Sequence, residues 1–127
     1  MYTIRDNLLR AIELVEGEPD RLFSLFDFER ETTCGTLHCT LGLIASDPNF
    51  EEQNIRLDRG TVLVDERLFN YEALNSRFGL RAFARLFEAR GHGAWDNKVF
   101  DLSAMDDKEL ALWRLRRQLM EYPDAEE

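Results

Sequence analysis

The stretch Ile55-Arg56-Leu57-Asp58-Arg59-Gly60-Thr61-Val62-Leu63-Val64-Asp65-Glu66 decides the fold class. Ile55 and Leu57 alternate with polar residues, Thr61 to Val64 cluster β-branched and apolar side chains, and Asp58-Arg59-Gly60 between them has turn chemistry. The pattern predicts a small antiparallel β-hairpin over 55–66. Two short strands are not stable alone in water and need a helix packed on one face. The hairpin therefore implies an α+β domain in which the rest of the chain supplies the helices.

That remainder is helical in its periodicity. Ile4, Leu8, Ala11, Ile12 and Val15 recur at three- and four-residue steps and form one apolar face. Thr3 with Asp6 has the spacing of a capping box, and Gly17 is placed to stop this helix. Pro19 and Asp20 suit the first turn of a short helix ending near Phe28. Glu29-Arg30-Glu31-Thr32-Thr33 reads as a polar connector, and Thr36 as the cap of a third helix reaching Ser46. Asp47-Pro48 ends that helix, because the residue before proline disfavours the helical region. Beyond the hairpin, Tyr71 to Phe78 reads as a helix closed by Gly79, and Arg81 to Arg90 as another. Asp106-Asp107-Lys108-Glu109 makes a capping box for a last helix, whose apolar edges are Leu110, Trp113 and Met120 on one side and Leu112, Leu115 and Leu119 on the other. Arg114, Arg116 and Arg117 fall toward its C-terminus, where cations offset the helix dipole. The expectation is a mostly helical α+β fold, about six helices around one core with a small antiparallel hairpin. Residues 1–122 read as one globular domain and residues 123–127 as a frayed acidic tail.

Composition narrows the function classes. The chain has 127 residues, 44% of them hydrophobic, and carries 25 Asp plus Glu against 16 Lys plus Arg for a formal charge of −9. A phosphate-backbone binder needs a cationic surface, and so does a protein that docks on anionic lipid. Neither direct nucleic-acid binding nor membrane association is therefore expected. A partner with a basic surface is compatible with the charge. The N-terminus has no charged segment followed by an apolar run, and no stretch approaches a membrane span. With both cysteines then expected as reduced thiols, the expected location is a cytoplasm.

The chemistry-bearing segment is Cys34-Gly35-Thr36-Leu37-His38-Cys39-Thr40-Leu41-Gly42, followed by Asp47-Pro48-Asn49-Phe50. It holds both cysteines and one of the two histidines. A zinc site would need Cys34, Cys39, His38 and the distant His92, and adjacent helical residues such as His38 and Cys39 point about 100° apart. A redox dithiol uses Cys-x-x-Cys at a helix start, whereas four residues separate Cys34 from Cys39. A cysteine nucleophile needs a base within hydrogen-bond reach, which the spacing does not supply. No cofactor and no resident metal is expected. Cys34, Gly35, Thr36, Cys39, Gly42, Asp47, Pro48 and Phe50 read as structural: small buried thiols, a tight turn, a cap and a close helix approach at Gly42.

The pattern Cys34-Gly35-Thr36-x-x-Cys39-x-x-Gly42, then Asp47-Pro48-x-Phe50, resembles a signature in small proteins of tailed phages and prophages. Those proteins commonly read Cys-Gly-Thr-x-x-Cys-x-x-Gly-Trp, then a short strand pair, a Phe-Gly-Leu segment and a Leu-Phe. Arg56-Leu57, Phe78-Gly79-Leu80 and Leu86-Phe87 follow in matching order, so the likeness covers residues 26–120. Leu43 departs from it where an aromatic is usual, as do His38 and Leu41 where small residues are usual. The resemblance implies a phage setting, hence a bacterial host cytoplasm, and assigns no particular activity.

These readings lead to an expected function. It is a non-enzymatic accessory protein that binds a host or phage protein, as an inhibitor, through an acidic surface. A thiol or metal protein built on Cys34, Cys39 and His38 competes with it, as does an acidic mimic of nucleic acid. Trp95 and Phe100 are the aromatic candidates for exposed anchors.

Overall fold

A computed structural model describes residues 2–18, 29–32, 35–38, 40–58, 61–68, 70–88, 94–95 and 105–123. Among these the chain forms six helical segments and five strands. They are α1 (Ile4–Gly17), β1 (Glu29–Thr32), β2 (Gly35–His38), α2 (Thr40–Ala45), α3 (Pro48–Glu51), β3 (Ile55–Asp58), β4 (Thr61–Val64), β5 (Arg67–Leu68), α4 (Tyr71–Phe78), a π-helical turn (Phe83–Phe87) and α5 (Asp107–Leu119). The fold is α+β and mostly helical. Among the described residues no helix is long and apolar enough to cross a membrane.

The helix starts follow the sequence logic. Thr3 accepts the Asp6 N–H at 3.0 Å while Asp6 accepts the Thr3 N–H at 3.2 Å, a reciprocal box. Asp106 and Glu109 repeat the device on α5 at 2.7 and 3.0 Å. Asn70 caps α4 by accepting from the Ala73 N–H at 3.1 Å. The segment expected as one helix over 81–90 is instead the short π-helical turn, closed by the Glu88 N–H on the Phe83 carbonyl at 2.9 Å. Arg81 just before it has φ +54°, a value that a continuous helix excludes.

A second correction falls at the cysteine segment. Thr36 does not cap a helix, and Glu29–Thr32 is not a connector. Gly35–His38 is a strand paired antiparallel with Glu29–Thr32, with Thr32 opposite Gly35 and Glu29 opposite His38. Helix α2 begins only at Thr40. Thr32 and Thr36 fall on these strands, and β-branched side chains suit a pleated strand better than a helix. The helix expected over residues 19–28 lies outside the described residues.

The 55–66 hairpin is present, with Ile55 opposite Val64 and Asp58 opposite Thr61. A third strand extends it, since Leu63 and Val64 pair with Leu68 and Arg67. The two-residue loop between β4 and β5 is Asp65-Glu66, with φ +52° and +65°. Positive φ at both positions is the geometry of the mirror-image hairpin turn that ordinarily selects Asn-Gly. Here two arginines brace it. Arg77 Nη2 reaches Asp65 Oδ1 at 2.9 Å, and Arg56 holds Glu66 with bonds of 2.7 and 3.3 Å.

One core joins these elements. Leu8, Ala11, Ile12 and Val15 of α1 meet Leu41 and Ile44 of α2, Ile55, Val62 and Val64 of the sheet, Leu74 and Phe78 of α4, and Leu110, Ala111 and Leu115 of α5. Phe78 lies at its centre, with ring centroids 5.5 Å from Phe50 and 5.2 Å from Phe87. The last helix turns an unexpected stripe inward, because Arg114 and Gln118 are fully buried. The Gln118 amide donates to the carbonyls of Phe78 at 3.2 Å and Leu80 at 3.0 Å, on either side of Gly79. Gly79 adopts φ +102° with ψ −179°, a conformation essentially reserved for glycine. A Cβ there would lie 2.6 Å from Tyr122 Cε2 and 2.8 Å from Gln118 Nε2. Gly79→Ala is expected to cost at least about 2 kcal/mol from backbone strain and overpacking, read as a lower urea midpoint with unchanged slope. An unchanged midpoint would show that the α4–α5 junction is looser than this geometry.

Candidate functional site

The residues singled out in sequence are dispersed rather than gathered. Gly35, Thr36 and His38 belong to β2, while Cys34, Cys39 and Phe100 lie outside the described residues. His38 ends a strand, so the helical geometry used above for a His38–Cys39 pair does not hold. Gly42 is buried inside α2, which packs on α1 and on the hairpin strands. Phe50 is fully buried. Trp95 is half-buried beside the core, its ring edge-on to Trp113 at 5.7 Å. The guanidinium carbons of Arg85 and Arg117 lie 5.0 and 5.9 Å from its centroid, a cation–π arrangement.

Asp47 and Pro48 lie beside a surface groove that neither of them lines. Pro48 opens α3, where its missing N–H costs nothing. Asp47 occupies the cap position, yet its side chain caps no helical N–H. Both carboxylate oxygens instead accept from Arg10 of α1, Oδ1 from Nη2 at 2.9 Å and Oδ2 from Nε at 3.1 Å. The Asp47 side chain is 4% exposed, so this fork-to-fork pair is what lets a carboxylate stay buried beneath α1. Arg10 also holds Glu13 at 3.1 Å, and the two acids keep its guanidinium firmly protonated.

Beside this pair a groove of about 240 Å³ runs between α1 and α3, lined by Tyr2, Asp6, Asn7, Arg10, Asn49, Phe50 and Gln53. Its floor is a reciprocal amide pair. Asn7 Nδ2 donates to Gln53 Oε1 at 3.1 Å and Gln53 Nε2 to Asn7 Oδ1 at 2.9 Å. Asn7 also donates to the Arg77 carbonyl at 3.0 Å, which ties the groove to the end of α4. Tyr2 closes one end, its hydroxyl donating to Glu52 Oε1 at 3.3 Å. Asp6 and Arg10 are the charged residues of its lining; Glu13 and Asp47 pair with Arg10, and Glu52 with Tyr2. The field is negative enough to raise the Tyr2 phenol above its ordinary 10.0, chiefly through the charge of Glu52.

The groove's lining combines two aromatics, three amides and one carboxylate, with Glu13 and Glu52 beside it, which suits a cationic, hydrogen-bonding segment of another protein. Sequence reasoning named Asp47, Pro48 and Phe50 but not Tyr2, Asn7, Arg10, Glu52 or Gln53. Among the described residues no group of three or more His, Cys, Asp and Glu is placed to hold a metal ion. No family model matches the chain, and no curated protein or solved structure compared with it is significantly similar.

Two outcomes check this site. The phenol of Tyr2, followed through its ring NMR signals, is expected to ionise above 10.0, and Glu52→Gln is expected to bring it back toward that value. An unmoved midpoint would contradict the negative field. Arg10→Met leaves the Asp47 carboxylate buried without its partner, so a loss of about 2 kcal/mol or more in denaturant unfolding is expected.

Proposed function

We propose that the chain is a protein-binding module that covers a basic surface on its partner with the acidic α1–α3 face. One observation carries this reading: the carboxylates gathered at and beside the groove, with Asp6 in its lining, Glu52 bonded to Tyr2 and Glu13 bonded to Arg10, the one cation of that lining. The formal charge of −9 supports it on the scale of the whole molecule, since a long-range negative field speeds encounter with a cationic partner. The resemblance to small tailed-phage proteins supplies the setting, that of an accessory factor or inhibitor acting on a host or phage protein in the bacterial cytoplasm. The partner's contribution is an arginine- or lysine-bearing segment that pairs with Asp6, Glu13 and Glu52 and lays its stem against Tyr2.

The test is capture of binding proteins from a bacterial host lysate by the tagged chain. A Glu13→Lys/Glu52→Lys variant and a Cys34→Ser/Cys39→Ser variant are run beside it, each confirmed folded by circular dichroism. A single stoichiometric partner is expected that the wild type and the serine variant retain. The charge-reversed variant is expected to lose it, and the wild type to bind it more weakly as salt rises through the range where the Debye length falls from about 10 Å to 3 Å. A partner kept by the charge-reversed form, or lost only by the serine form, would overturn the reading in favour of chemistry at the cysteine segment.

A further inference from the structure

The outer face of α5 is a second, chemically different surface. It forms a groove of about 430 Å³ lined by Met105, Glu109, Leu112, Trp113, Arg116, Arg117 and Met120. Leu112 and Trp113 are half-buried, Glu109 and Arg116 are exposed, and Met120 is 71% exposed. Large apolar side chains along a helix face, with charges interspersed, mark a contact surface rather than a solvated face.

Arg117 apart, the order of these residues is palindromic about the midpoint between Leu112 and Trp113. Reversing the helix end for end exchanges Met105 with Met120, Glu109 with Arg116, and Leu112 with Trp113. We propose that this face pairs with the same face of a second copy of the chain, the two α5 helices antiparallel about a two-fold axis through that midpoint. A two-fold interface is isologous, so each residue must suit its own mirror partner. Here three of the mirror pairs are complementary, while Arg117, which also lines the groove, falls opposite Lys108. Glu109 meets Arg116 of the other copy twice, the methionines stack end to end, and Leu112 packs on the opposing indole.

The local bonding fits this pairing. Within one chain Glu109 uses Oε1 to accept the Asp106 N–H at 3.0 Å, and its Oε2 carries the second acceptor site of an exposed carboxylate. Arg116 reaches Glu16 through Nη2 at 2.6 Å and is 56% exposed, so its five-donor fork bridges Glu16 and an incoming carboxylate. Trp113 is braced by the edge-on Trp95 at 5.7 Å, which presents a preformed apolar ridge. A partner of unrelated sequence gives no reason for the reciprocal spacing of Glu109 and Arg116 about Leu112 and Trp113. One helix face buries less than the roughly 800 Å² per partner of a standard interface, so the dimer is weak and concentration-dependent.

The test is sedimentation equilibrium over a concentration series. The wild type is expected to follow a monomer–dimer equilibrium. Arg116→Glu sets Glu109 against a glutamate at both contacts, and Glu109→Arg sets two arginines against each other. Each alone is expected to move the midpoint to at least about tenfold higher concentration. An equimolar mixture of the two variants restores both opposite-charge contacts and is expected to dimerise as the wild type does. If Glu109→Arg weakens the helix through its capping box, Met120→Glu serves instead as a fold-neutral disruption, expected to leave the circular dichroism unchanged and to abolish the dimer. A wild type that stays monomeric throughout, or a dimer indifferent to both Arg116→Glu and Met120→Glu, overturns the proposal.

Discussion

The structure depends on α5 closing the carboxyl ends of three other helical segments. The last carbonyls of a helix have no partner in their own ladder and must find one elsewhere when they are buried. Lys108 donates to the carbonyls of Glu16 at 3.1 Å and Glu18 at 2.9 Å, at the end of α1. Gln118 serves those of Phe78 and Leu80 at the end of α4. Arg114 serves those of Glu88 at 2.8 Å and Leu86 at 3.4 Å, at the end of the π-helical turn. Gln118 and Arg114 bring donors to places where aliphatic side chains would strand buried carbonyl groups, whereas Lys108 serves carbonyls at the more exposed end of α1. The apolar residues between them, Leu110, Ala111 and Leu115, provide the burial that makes such hydrogen bonds strong.

This arrangement sets the two surface features. With its polar residues 114 and 118 turned inward, α5 leaves Leu112, Trp113 and Met120 on its outer side, where they form the apolar groove. On the opposite side of the chain's order, α1 is held at its end by Lys108 and along its length by the Arg10–Asp47 pair. Its outer face therefore meets α3 at a fixed distance, and the carboxylates there are fixed with it. The backbone strain at Asp65-Glu66 is offset in the same way by arginines, whose planar fork loses little freedom per bond formed.

Features that rest on local chemistry were legible in the sequence. The Thr3 and Asp106 capping boxes, the 55–64 hairpin and the glycine stop after Phe78 all follow from short-range rules about which groups need partners. The errors arose where tertiary partners decide. Periodicity gave no sign that Arg114 and Gln118 turn inward and set Met120 on the apolar face, where it is exposed, because it cannot see carbonyls waiting on other helices. The threonines around Gly35 fit both a capped helix and a strand, and pairing with residues 29–32 decided it. At the candidate site Asp47-Pro48 was recognised as a helix boundary. Its ion pair with Arg10, far off in the chain, left no sequence signal, nor did the Asn7–Gln53 amide pair.

The most direct test of this account is the equilibrium unfolding of Arg114→Met. Methionine fills much of the same volume and keeps the core apolar, but it removes the donors from the Leu86 and Glu88 carbonyls. If α5 holds the fold by closing helix ends, the variant loses at least about 2 kcal/mol, the cost of leaving buried acceptors unsatisfied. If its stability is unchanged or higher, burial alone holds α5 in place and the carbonyl contacts are incidental.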